Sequence, residues 1–352
     1  MDELIYNAID LLKAMIAIPS ISRDEDKVAN LIEASINSAG YKAMRQGNNV
    51  WCFGNDFSPL RPSILLNSHI DTVKPVDAWT YNPYAATEID DKILGLGSND
   101  AGASLVSLFA TFIYISSRPQ SYNLIFLASC EEEVGGENGI ESVIPLLPPI
   151  SVAIVGEPTE MQPAIAEKGL MVLDGVIHGV SGHAARNEGL NAIYKAIDVV
   201  ASLKDLIFPR ISPLLGPIKV TVTQIESGTQ HNVIPDLCKI VVDVRTTEAY
   251  SNTEVLEYIR KAVPACIFTP RSTRLNSSKI DIAHPLVQRM ITLGAAPFGS
   301  PTLSDQALMP FQSLKLGPGS SSRSHTANEY ITTSEIREAI STYIALLNNL
   351  NL

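Results

Sequence analysis

Ile64-Leu-Leu-Asn-Ser-His69-Ile-Asp71-Thr72 is the stretch from which the fold is read. Its run over 64–68 reads as a buried strand, and the residues that follow carry chemistry instead of more core. Outward from it, strand and helix take turns: a helix over 103–116, a strand over 122–129, a helix near 139–146 and a strand over 151–155. Such alternation implies βαβ units, hence an α/β fold with a mainly parallel sheet and helices on both faces. Upstream, Leu4, Ile5, Ala8, Leu11, Leu12, Met15 and Ile16 recur at helical spacing until Pro19 stops the pattern. A second helix spans 24–40, with Val28, Leu31, Ile32 and Ile36 on one face.

Near residue 165 the rhythm changes. Strands are predicted over 170–179, 218–225 and 238–246, with helices over 190–207 and near 253–262. That order describes an α+β sandwich. From His284 the helix–strand style returns, with a strand over 314–316 and an amphipathic closing helix over 334–350. The expected organisation is a discontinuous domain, 1–164 and 282–352, with a second domain, 165–281, inserted into it.

Length and composition fit this reading. A chain of 352 residues exceeds one small core, and 45% hydrophobic with 18% charged residues is ordinary for a globular enzyme. The formal charge of -11 and the pI near 5.0 argue against a nucleic-acid partner. Cys52, Cys130, Cys238 and Cys266 form no Cys-x-x-Cys pair and read as reduced, packed thiols. No basic segment followed by an apolar core opens the chain, and no apolar run approaches the roughly 20 residues that span a bilayer. The expected address is the cytoplasm, with no membrane partner.

Five polar motifs sit where strands end: Ser-His69-Ile-Asp71-Thr, Ser-Asn-Asp100-Ala-Gly, Ser-Cys-Glu131-Glu132-Glu133-Val-Gly-Gly, Val-Gly-Glu157-Pro-Thr and Ser-Ser-Arg-Ser-His325-Thr. Ligands of open α/β sheets bind at the carboxyl ends of strands. Two imidazoles and several carboxylates converging there describe a divalent metal site, most simply zinc. His69 and Asp71, two apart, point to one side of the sheet, so Asp71 can hold the second ring nitrogen of a ligating His69. Asp100, before a helix, reads in isolation as an N-cap. Of the three glutamates, one carboxylate can bind metal while another takes a proton from water, and Gly135-Gly136 turns the backbone afterwards. Glu157 ends its strand, and His325 can supply the second imidazole. Arg245, ending the strand over 238–246, is either a bidentate clamp for a substrate carboxylate or the partner of Asp243 or Glu248. His178, His231 and His284 read as structural.

Taken together and in order, these motifs, with Ser-Gly-His183-Ala-Ala, Asn232-Val-Ile-Pro, Asp-Val-Arg245, Ser304-Asp305 and His325-Thr-Ala-Asn-Glu329, carry a resemblance. The chain resembles the di-zinc aminoacylase and peptidase family that includes acetylornithine deacetylase and succinyl-diaminopimelate desuccinylase, over nearly its whole length. The resemblance implies a zinc aminopeptidase-like catalytic domain and an inserted dimerisation domain. It implies two Zn2+ ions, with Co2+ or Mn2+ as possible substitutes. Asp100 would bridge them, His69 and Glu157 completing one site and Glu133 and His325 the other. Glu132 would be the general base, with Glu131 as the alternative, and Asp71 would orient His69. His183 would reach the active site of the partner in a homodimer, and Asn232 would bind the same end of the substrate as Arg245.

The implied reaction is removal of the acyl group from a small N-acyl amino acid, first N-acetylornithine, in arginine biosynthesis. Asp100-Ala-Gly departs from the family's frequent Asp-Met-Lys-Gly, and Glu167-Lys168-Gly169 stands where the desuccinylase branch carries arginine. The alternatives are succinyl-diaminopimelate, N-acylcitrulline or dipeptide hydrolysis, and a non-catalytic metal-bearing binding protein.

Overall fold

Alternate residues of one strand report how the central sheet is covered. In the computed structural model, which describes all 352 residues, Ile64 and Leu66 of the strand Ser63–His69 enter one apolar cluster and Leu65 enters another. Neighbouring side chains of a strand point to opposite faces, so both faces are packed, and all of Ser63–His69 is buried. Asn123–Ser129 and Val152–Val155 flank this strand in parallel, and Ser313–Lys315 runs parallel beyond Val152–Val155. The mainly parallel α/β sheet implied by the alternation is present. Its antiparallel edge, Asn49–Phe53 and then Met44–Gln46, was not foreseen, because strands of five and three residues leave no periodic signal.

Helices cover both faces. Asp2–Ile16, Asp26–Ser38, Ala103–Ser116 and Thr333–Leu347 contribute to the larger cluster, with Leu12, Ile32, Phe112 and Tyr343 fully buried. Ala103–Ser116 buries residues on every side, as a helix apolar all round must. On the other face, Ile140 and Val143 pack on Leu65, Ile125, Leu127 and Ala153. The helix expected near 139–146 is divided into an α-helical turn, Ile140–Val143, and a 3-10 turn, Ile144–Leu146. Pro145, at the start of the second turn, lacks the N–H that would continue the first.

Parallel strands end at one edge. His69 closes its strand, Cys130–Glu133 follow Ser129, Glu157 follows Val155 by two residues, and the loop to His325 leaves Lys315. The sheet thus delivers four of the five polar motifs or their approaches to the same rim, while Asp100 follows the short strand Lys92–Leu94 of a separate three-stranded sheet.

The chain divides into two compact units: Met1–Ile165 with Lys279–Phe298 and Ser304–Leu352, and Ala166–Ser278 with Gly299–Leu303. Gly299–Leu303, outside the interval of 165–281, joins the second unit, where the Lys168 N–H donates to the Ser300 carbonyl at 3.1 Å. By itself this unit is an antiparallel sheet in the order Lys219–Ser227, Leu237–Thr246, Gly169–His178, Ile267–Pro270. Its helices Ala192–Lys204 and Asn252–Ala262 bury Val199, Leu203, Val255 and Ile259 against Leu173 and Val242. No helix of the chain is long and apolar enough to cross a membrane.

Candidate metal centre

His69 is locked before any ion is considered. Its Nδ1 lies 2.8 Å from the backbone carbonyl of Asp71. A carbonyl only accepts, so Nδ1 carries a hydrogen and Nε2 is left to face the site. Nε2 stands 3.2 Å from Asp100 Oδ1 and 3.8 Å from Glu157 Oε1. The Asp71 carboxylate, expected to hold this ring, lies 3.5 Å from Nδ1 and is the more distant partner. It accepts instead the backbone N–H groups of Glu132 at 3.0 Å and Glu133 at 3.1 Å, and the Ser22 hydroxyl at 2.7 Å.

The glutamate turn divides its side chains. Glu131 adopts a left-handed conformation, φ 57°, and its Oε1 accepts from Asn138 Nδ2 at 3.0 Å while its N–H donates to the buried Glu25 at 3.2 Å. Gly136 makes room for it, since a Cβ there would strike the Glu131 carboxylate. Glu132 instead has ligand atoms within 4.8 Å of His69 and Glu157, and Glu133 does so with His69 and Asp100. His325 completes the second group, its Nε2 3.0 Å from Glu133 Oε2 and 3.6 Å from Asp100 Oδ2.

Asp100 is not the helix cap that its position invites. Its backbone is non-helical, φ -120° and ψ 94°, and no side chain caps the helix Ala103–Ser116. Its two oxygens face the two imidazoles, while its N–H donates to Glu329 Oε1 at 2.9 Å.

Such crowding has an electrostatic cost. Burial, opposed by the His69 charge and reinforced by Asp100, pushes Glu157 up to about 8. Burial likewise raises Glu132 well above the carboxylate range, with Glu157, Asp305 and Glu133 adding to it. Burial works against charge on His69, yet Asp100, Asp71 and the nearby glutamates hold its pKa well above the ordinary value. His325 is raised to about 9, chiefly by its hydrogen bond to Glu133. Carboxylates kept this close in a low-dielectric pocket call for a compensating cation. The donor set, imidazole nitrogen and carboxylate oxygen, suits Zn2+, Co2+ or Mn2+. The residues therefore fit a metal.

Beneath the centre, Asp305 accepts from Ser129 Oγ at 2.6 Å and Asn67 Nδ2 at 3.2 Å, all three buried. Asp305, Glu25, Asn99 and Glu329 are supports to which sequence reading gave no task. Glu329 and Asp305 lie inside the motifs, but an acid whose partners are far away in the chain has no local spacing to mark it. Cys130 is buried and 3.6 Å from the Asn138 carbonyl, a packing residue.

In the second unit, His183 is exposed and pairs with Val233 across the short ribbon Gly182–His183 and Val233–Ile234. The Ala185 N–H donates to its Nδ1 at 3.1 Å, so its neutral ring carries hydrogen on Nε2. Asn232 is exposed beside it, its carbonyl accepting from the Ala184 N–H at 3.0 Å. Arg245 forks onto Asp243 at 2.8 and 3.0 Å, the salt-bridge alternative of the sequence reading. His284 is structural, its Nδ1 accepting the Leu286 N–H at the start of Pro285–Thr292.

The sequence model of peptidase family M20/M25/M40 matches residues 65–349. The chain belongs to this peptidase family. It is thereby a hydrolase of the peptidase and amidohydrolase class, as the resemblance implied. It is 29% identical over 353 residues to a peptidase M20 domain-containing protein of Schizosaccharomyces pombe, covering 96% of this chain and 83% of that one. It is also 29% identical over 364 residues to the acetylornithine deacetylase of Klebsiella pneumoniae, covering 94% of each. Its fold matches a dinuclear metal-binding M20 peptidase of Bacillus subtilis with a TM-score of 0.76 at 17% identity, over 99% of this chain and 98% of that one.

Proposed function

We propose that this member of the family is a metal-dependent amidohydrolase that removes the acyl group from a small N-acyl amino acid, with N-acetylornithine as the first substrate and arginine biosynthesis as its setting. One observation carries the reading: Glu132 stands against both His69 and Glu157, while His69 also joins Asp100 and Glu133. The deacetylase relative, matched along 94% of both chains, supports the substrate. The four unpaired, buried cysteines support the cytoplasm as its compartment.

His69 and Glu157 would hold one ion and Glu133 and His325 a second, with Asp100 between them. When bound, two Zn2+ ions supply the Lewis acidity that activates water and polarises the amide carbonyl. Glu132 accepts the proton of the attacking water and delivers it to the leaving nitrogen. Asp71 sets Glu132 and Glu133 through their backbone N–H groups. His183, its hydrogen on Nε2, donates to the developing oxyanion of the partner subunit's substrate. Asn232 and the Nη1 edge of Arg245, whose Nε and Nη2 are engaged by Asp243, take the substrate carboxylate.

Homodimerisation through residues 165–281 follows from the same reading. It is supported by Ile193, Tyr194 and Ile197, which the helix Ala192–Lys204 leaves 38%, 70% and 59% exposed, and by the open edge of the strand Lys219–Ser227.

The test is amine release from N-acetylornithine by the zinc-loaded protein, beside a chelated sample and a panel of succinyl-diaminopimelate, N-acylcitrulline and a dipeptide. Metal-dependent turnover of about 1–1000 per second on the acetyl substrate is the expected result. Preference for another panel member would replace the substrate, and no turnover on any would leave a binding protein.

A further inference from the structure

The two loops that carry Asp100 and His325 are tied to each other in both directions. From the second loop, Glu329, only 2% exposed, accepts the backbone N–H groups of Gly97 at 3.1 Å, Asn99 at 2.8 Å and Asp100 at 2.9 Å. From the first loop, the fully buried Asn99 accepts the Ser320 N–H at Oδ1 and donates from Nδ2 to the Ser320 carbonyl, both at 3.1 Å. The same Nδ2 lies 3.4 Å from the hydroxyl of Ser324, the neighbour of His325. Gly319, at φ +82°, permits this closeness, since a Cβ there would strike the Asn99 amide.

Every one of these bonds ends on a residue of a ligand-bearing loop. Asn328, adjacent to Glu329, behaves differently: its Oδ1 accepts the Thr80 N–H at 3.0 Å and its Nδ2 donates to the Thr80 hydroxyl at 2.9 Å. The Glu329 carboxylate, an acceptor at both oxygens, draws three amides towards one point and so fixes the peptide planes that lead into Asp100. Asp100 needs that orientation more than an ordinary ligand does. Its Oδ1 is 3.2 Å from His69 Nε2 and its Oδ2 is 3.6 Å from His325 Nε2, so a rotation at Asp100 alters both distances.

We propose that Glu329 and Asn99 form a reciprocal clasp that positions the Asp100 carboxylate between His69 and His325, which makes both of them positioning residues of the metal centre. The proposal rests on the metal-centre reading above. It extends that reading to residues that touch neither ion nor substrate.

The experiment titrates the metal-free protein with Zn2+ by calorimetry and with Co2+ by visible absorption, for wild type, Glu329→Gln, Asn99→Ala and Asn328→Gly. Thermal melting of each metal-free variant is measured alongside. Glutamine keeps the size of Glu329 but sets an amide donor against a backbone donor, and glycine suits the positive φ of Asn328. The expected result is a Zn2+ affinity about 10–100-fold weaker in Glu329→Gln and Asn99→Ala, the usual consequence of losing a residue that supports a ligand. The Co2+ spectrum of these two changes, their metal-free melting stays near wild type, and Asn328→Gly binds as wild type does. Wild-type protein that binds neither ion overturns the metal-centre reading itself. Wild type that binds tightly, with clasp variants of equal affinity and unchanged spectrum, overturns the clasp alone. Weakening matched by an equal loss of metal-free stability also overturns it, and if Glu329→Gln fails to fold, Asn99→Ala decides by the same criteria.

Discussion

Asp71 holds Glu132 by its backbone: the Asp71 carboxylate accepts the Glu132 N–H at 3.0 Å and, with its other oxygen, the Glu133 N–H at 3.1 Å. Its charge is stabilised in place. Burial opposes ionisation, but His69, the Ser22 hydroxyl and the Glu133 N–H keep its pKa below the usual range. Asp71→Asn would turn one of these acceptors into a donor facing a backbone N–H. The expected outcome is a loss of about 10–100-fold in kcat, with less change in KM, since the glutamate turn and not the substrate pocket is disturbed. Steady-state kinetics on the preferred substrate check it, and an unchanged kcat would remove Asp71 from the mechanism.

Glu132→Gln keeps the shape of the turn and removes the proposed proton acceptor. Turnover is expected to fall by about 10²–10⁴-fold, while bound metal per subunit, measured by atomic absorption, stays at the wild-type value. Full activity in this variant would pass the role of base to another group.

Metal binding is expected to release protons near neutral pH. In the metal-free protein Glu157 titrates at about 8 and His325 at about 9, against ordinary values of 4.5 and 6.5. Both folded values lie above the unfolded ones. Each group therefore contributes stability that is complete below its unfolded value and is lost as pH rises through its folded one. Melting of the metal-free protein should fall across pH ~5 to ~9, and the increment added by Zn2+ should grow, because the ligands must be deprotonated to bind it. Calorimetric titrations at pH ~7 in buffers of different ionisation enthalpy count the protons, and a count of zero would contradict the assigned ligands.

The proposed sharing of His183 between subunits makes a distinctive prediction. His183→Ala is expected to lower kcat by about 10²–10³-fold, the size of effect seen when one oxyanion donor is removed. Mixed with the Glu132→Gln protein and allowed to exchange subunits, it should regain activity, because one hybrid site then has both Glu132 and the partner's His183. Absence of any recovery, or a fully active monomer by sedimentation, would sink both the dimer and the exchange of histidines.

What could be read in advance differed between the strand core and its supports. The helix Ala103–Ser116 and the strands Asn123–Ser129 and Val152–Val155 were legible within a residue, because each lies in an alternating helix–strand series and is an apolar run whose burial is decided locally. The short strands Thr87–Ile89 and Lys92–Leu94 were not, since they form a small sheet with Tyr330–Thr332 from the far end of the chain. The approach of His69, Asp100, Glu133, Glu157 and His325 followed from strand ends and from the resemblance. Asp100 as a cap failed in the structure because the loop before the helix is governed by Glu329, 229 positions away. Asp71 was expected to serve His69 with its carboxylate, and it does so chiefly with its carbonyl. Local spacing brings the two residues together, but it does not decide which oxygen is used.

The rim of parallel strand ends also settles when a metal ion can arrive. Glu133 and His325 stand 192 positions apart in the chain, and no pair of neighbours in sequence makes a site alone. An ion therefore has nothing to grip until the strands Ser63–His69, Asn123–Ser129, Val152–Val155 and Ser313–Lys315 have come together between their helices. Unlike small domains that fold around their zinc, this chain builds its vessel first. A chelator should empty it without dissolving it.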